Sequence, residues 1–166
     1  MAGPPPRADD ETMARRSELA RAVRDDLSAA GFSVVPADTD PSVTAGARVS
    51  VDPLDDEWGG GVFVHWDVSY VLQAAGVDAL CEGRGSDDPC MKFAGGVAEA
   101  MQDAIAEILT LAGYDVQKDV NDMSPYQLQV LRRRPGPTWR DWLNAQTQRR
   151  QEVMQETARR RDDDRA

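Results

Sequence analysis

The segment DPCMKFAGGVAEAMQDAIAEILTLAG, residues 88–113, constrains the fold more than any other. Ala94, Val97, Ala98, Met101, Ala104, Ile105, Ile108, Leu109 and Ala112 recur at i, i+3, i+4 spacing, which lines one face of a helix. Asp88 offers an N-cap oxygen and Pro89 suits the first turn. Gly113 sits where the helix must stop. An apolar stripe of that length needs an apolar partner surface. The run Gly61–Val68 supplies one, with Val62, Val64, Trp66 and Val68 on one face of a strand and Phe63, His65, Asp67 and Ser69 on the other. A helix laid on one face of a sheet satisfies both patterns.

The remaining elements follow from the same rules. Leu19, Ala20, Val23 and Leu27 predict a helix from Thr12 to Ala30, capped by Gly31. Short strands are expected at Phe32–Val35, stopped by Pro36, and at Arg48–Val51. A short helix, Ser69–Ala75, is expected to close at Gly76. Tyr114–Val120 and Gln127–Leu131 read as two more strands around the turn NDMSP. RRRPGP breaks the pattern, and Thr138 with Asp141 resembles a capping box opening a last, mostly polar helix. The prediction is an α+β fold: a small antiparallel or mixed sheet of three to five strands, packed by two main helices, with a polar C-terminal helix. Residues 1–11, with three consecutive prolines, read as a disordered tail; residues 12–134 read as one domain and 135–166 as a C-terminal helix and tail. DDLSAAGFSVV and EILTLAGYDVQ echo each other, as any helix turning into a strand does, and no internal repeat follows.

Charge is unevenly distributed. Residues 32–131 carry 17 acidic against 4 basic side chains, a net −13, while residues 132–166 carry 10 arginines against 6 acids, a net +4. An acidic body lacks the basic face that phosphate backbones require, so nucleic acid is not its expected partner. No window is long and apolar enough for a membrane span, and MAGPPPRADDE has no apolar signal region. The expected compartment is the cytoplasm, with reduced thiols. Arginine far outnumbers lysine, present only at Lys92 and Lys118, which points to a GC-rich genome such as that of an actinobacterium or one of its phages.

Little in the chain looks like chemistry. CEGRGSDDPC holds both cysteines, Cys81 and Cys90. They read as plain thiols in a loop or as a disulfide pair. A reactive Cys90 is the sharper alternative: position N2 of a helix favours the thiolate, while Asp87 and Asp88 oppose it. His65 is the one histidine. As a base it needs a nucleophile in reach, with Cys90, Ser69 and Tyr70 as candidates, yet no spacing motif joins them. Two cysteines and one histidine do not complete a zinc site, and DPLDDE lacks calcium-loop spacing. WGGGV precedes a strand rather than a helix, so it does not cradle phosphate. No metal, cofactor or catalytic residue is predicted.

Surfaces remain. Arg132, Arg133 and Arg134 precede Trp139 and Trp142, an arrangement suited to aromatic anchors with a polar rim. The tryptophans would equally serve by packing on the protein's own sheet. Asp55, Asp56, Glu57, Asp87 and Asp88 offer a third idea, an acidic mimic of nucleic acid facing a basic partner. The element order, with its acidic loops, is similar to that of small phage tail-completion and head–tail joining proteins; that likeness implies a structural role in a virion. The expected function is non-catalytic: an interaction, assembly or accessory protein whose partner is another protein, with oligomerisation open. A cysteine-dependent enzyme using Cys90 and His65 is the competing class.

Overall fold

The computed structural model describes residues 6–36, 38–40, 44–55, 60–118 and 125–163, the last three by backbone alone. The chain divides into two compact units, residues 1–134 and 135–166. In the first unit, α1 (Asp10–Ala29) begins where Asp9 accepts from the Thr12 amide at 2.7 Å. It ends where Gly31, at φ +93°, donates to the Ser28 carbonyl and Phe32 donates to Leu27. That pair of bonds satisfies two carbonyls the helix leaves open. Ala20, Val23 and Leu27 are fully buried along one stripe.

A five-stranded mixed sheet follows, β1 (Val34–Val35), β2 (Gly46–Asp52), β3 (Gly61–Asp67), β4 (Tyr114–Lys118) and β5 (Leu128–Arg133), in the order β1-β2-β3-β5-β4. β1 runs parallel to β2, and every other pairing is antiparallel. Register places Val49 opposite Val64, Val51 opposite Val62, and Val62 and Val64 opposite Val130 and Leu128. These residues form one face, where they join Ala20, Val23 and Leu27 of α1 and Ile105, Ala106 and Leu109 of α3 (Pro89–Leu111) in one core. Arg48 lies opposite His65 and Ser50 opposite Phe63, on the other face. The architecture is therefore α+β, as the periodicities require. Gly46 starts β2 at φ +150°, where a Cβ would lie 2.4 Å from the Ser33 carbonyl oxygen. Only glycine lets β1 and β2 approach that closely.

The structure corrects several boundaries. The N-terminal segment expected to be disordered over residues 1–11 is ordered from Pro6: Ala8 donates to Pro53, Asp55 donates to Pro6, and Arg7 bridges Leu54. Arg16 on α1 fastens the same loop, donating to Leu54 at 2.6 Å and pairing with Asp55 at 2.8 Å. The first strand shrinks to two residues. Asp119 and Val120 of the expected fourth strand lie outside the described residues, as do 121–124 of its turn.

The largest difference concerns α2, which runs Tyr70–Cys81 rather than closing at Gly76. Gly76 is buried inside the helix, where an added Cβ would lie 3.1 Å from the Met91 sulfur of α3. It is a packing glycine. The true stop is Gly83, at φ +71°, with Gly83 donating to Leu80 and Arg84 to Ala79. α2 packs against α3, with Gly76 beside Met91 in the first turn of α3. All four buried residues of α3, namely Gln102, Ile105, Ala106 and Leu109, lie in its C-terminal half, over the sheet.

The second unit holds α4, Trp139–Asp163. Its predicted capping box is formed: the Thr138 amide donates to Asp141 Oδ2 at 2.8 Å, and the Asp141 amide donates to Thr138 Oγ1 at 3.2 Å. None of its described residues is buried. No described helix is long and apolar enough to cross a membrane.

Candidate functional site

Cys81 is the last residue of α2 and Cys90 the second of α3, so the two thiols bracket the turn between the helices. Both are free; Cys81 is exposed and Cys90 half-buried. The turn is ordered by Asp88. Its side chain accepts from the Cys90 amide at 2.8 Å and the Met91 amide at 3.4 Å, and it forms an ion pair with Arg84. Asp88 is therefore a buried structural cap. Asp87 is exposed and pairs with Lys92 at 2.9 Å. Of the acids considered as a nucleic-acid mimic, Asp55 is paired with Arg16 on α1. Asp56 and Glu57 lie outside the described residues.

His65 belongs to a polar cluster on the sheet face opposite the helices. Its Nε2 lies 3.0 Å from Asp67 Oδ1, and Arg48 Nε lies 2.7 Å from Asp67 Oδ2. Arg48 also donates to the carbonyls of Pro36 and Thr39, at 3.0 and 2.8 Å. Arg48 and Asp67 are both more than nine-tenths buried. A buried charge pair is tolerated when each partner is also hydrogen-bonded, and here the arginine fastens the β1–β2 connection. His65 thus leans on a structural carboxylate. Among the described residues, no hydrogen bond joins it to Cys90, Ser69 or Tyr70.

His65 also lines a cavity of about 280 Å³ at the end of the sheet, together with Trp66, Ala98, Pro125, Tyr126 and Gln127. Tyr126 is the one described non-glycine residue with positive φ, at +66°, a conformation that costs a tyrosine energy. Sequence reasoning overlooked Asp67 as the partner of His65, and Arg48 as the second partner of Asp67. The signal was present in His65-x-Asp67, two same-face residues of one strand.

The arginine run is divided among local tasks. Arg132 pairs with Asp115 at 2.7 Å. Arg133 lies over the Tyr114 ring at 5.2 Å and 3.5 Å from Asp26 Oδ2. Arg134 donates to the Thr110 carbonyl and lies 3.7 Å from Asp115. Each of the three is held within the first unit, and Arg132 remains largely exposed. In the second unit, Trp139 is covered by the Arg140 guanidinium at 4.6 Å. Trp142 is 65% exposed and Leu143 49%. The arginines of the basic run are tied within the first unit, and the two tryptophans belong to α4 of the second.

α2 holds the residues that sequence reasoning missed. Tyr70, Val71, Val77 and Leu80 are each more than half exposed. Ending the helix at Gly76 hid this face. The chain matches no protein-family model, and neither a curated protein nor a solved structure matches it.

Proposed function

We propose that this chain is a non-catalytic interaction or assembly protein that works through surface contacts with another protein. One observation carries the reading: α4 displays Trp142, Leu143, Val153 and Met154, all about half exposed or more. Apolar side chains of that size, grouped on one helix, are what a partner's pocket desolvates. The acidic body makes protein rather than nucleic acid the expected partner. Cytoplasm is the compartment that fits, or the virion if the chain is phage-encoded.

The enzyme alternative gains nothing comparable. His65 is committed to Asp67 through Nε2, and Cys90 sits in a turn organised by Asp88. Affinity capture from lysate with the full chain, with residues 1–134 and with Trp142→Ser tests the proposal. A discrete partner retained by the full chain and lost from both variants is expected. Equal capture by all three would contradict it.

A further inference from the structure

We propose that α2 carries a second, outward apolar seam that receives a basic amphipathic helix from a partner protein. The inference deepens the interaction reading and rests on it, but it concerns a different helix.

α2 is YVLQAAGVDALC, a helix apolar around most of its circumference, with Gln73 and Asp78 as the exceptions. A helix of that kind is expected to be enclosed on every side. Only one side of α2 is enclosed: Gly76 and Ala79 are its buried residues, turned to α3 through the close approach of Met91 to Gly76. The opposite side carries Tyr70, Ala74, Val77 and Cys81. Their spacing of i, i+4, i+7, i+11 is that of a helix–helix seam. Tyr70 is 59% and Val77 57% exposed, and Val71, at 74%, flanks them. Surface function is the simplest reason for a short helix to retain two apolar faces.

Charge selects the occupant. α2 contains no lysine or arginine, and its one charged residue, Asp78, is exposed beside the seam. Beyond its C-terminus, Glu82 and Asp87 are exposed, each with one basic neighbour, Arg84 and Lys92. A second copy would bring an identical acidic rim, in a chain of net charge −10, and like charges oppose such pairing. A helix with a leucine-type stripe and lysine or arginine flanks meets both the apolar seam and the acid.

The test uses the full chain and two synthetic 18-residue peptides with identical leucine stripes, one flanked by lysine and one by glutamate. Calorimetric titration is expected to show binding of the lysine peptide, weakened at least tenfold by Val77→Asp and by Tyr70→Asp. Tyr70 opens the helix, where an aspartate is favourable to folding, so that variant protects the test if Val77→Asp fails to fold. Asp78→Lys is expected to erase the preference for the lysine peptide. Equal binding of both peptides, or indifference to both aspartate variants, would overturn the proposal. A wild-type dimer in sedimentation equilibrium that Val77→Asp dissolves would assign the seam to a second copy and overturn it too. Failure here leaves capture through α4 untouched, and loss of capture leaves this titration readable, so the two ideas fail separately.

Discussion

The Tyr114 hydroxyl donates a 2.7 Å hydrogen bond to Asp26 Oδ2, joining the first residue of β4 to the buried side of α1. Arg133, opposite Tyr114 in the sheet register, closes the group from above the ring. A carboxylate this deeply buried requires such partners. Tyr114→Phe is expected to lower stability by about 1–2 kcal/mol, since it removes one bond from a buried acceptor. The midpoint of urea unfolding reads the change; an unaltered midpoint would mean that Asp26 is satisfied without the tyrosine.

Arg48 and Asp67 make a sharper prediction. Removing one partner of a buried ion pair strands a charge, whereas replacing both with apolar residues does not. Asp67→Ala is expected to cost about 3 kcal/mol, and the double variant Arg48→Met, Asp67→Leu to cost less than the single. Denaturant curves of the two proteins decide the order.

At the start of α1, the bond from the Thr12 amide holds the Asp9 carboxyl below its ordinary range, with the Thr12 hydroxyl adding to the effect. A carboxylate whose pKa is depressed by folding contributes stability above its unfolded pKa and loses it as pH falls through the folded value. The first turn of α1 is therefore expected to fray only at pH below the ordinary aspartate range. The Thr12 amide shift, followed by NMR against pH, measures the midpoint. Asp9→Asn removes the titration.

The thiols separate by exposure. Cys81 is exposed and Cys90 half-buried, so a disulfide reagent is expected to label two thiols in two phases. Cys81→Ser should abolish the faster phase. An intact mass showing a bridged pair after purification without reductant would contradict this.

Legibility in the sequence followed the range of the physics. The Asp88 cap, the Gly31 and Gly113 stops and the Thr138–Asp141 box depend on neighbours a few residues apart, and each formed as predicted. The alternation of Val62 and Val64 located the buried face of β3. Gly76 misled because a glycine chosen for packing against Met91 looks the same as one chosen for a cap. Tyr114 with Asp26, 88 residues apart, and Arg48 with Asp67 meet only once strand order is known. Arg133 shows the same limit: its place in an arginine run concealed its role beside Asp26 of α1.

Site-specific photo-crosslinking in cells tests most directly whether this chain works by contact. A benzophenone amino acid placed at Val77, at Trp142 and, as a polar exposed comparison, at Gln117 reads each surface separately. A discrete crosslinked protein at position 142 or 77, absent at 117, is the predicted result. No adduct at either apolar helix, or the same adducts at all three positions, would contradict the account.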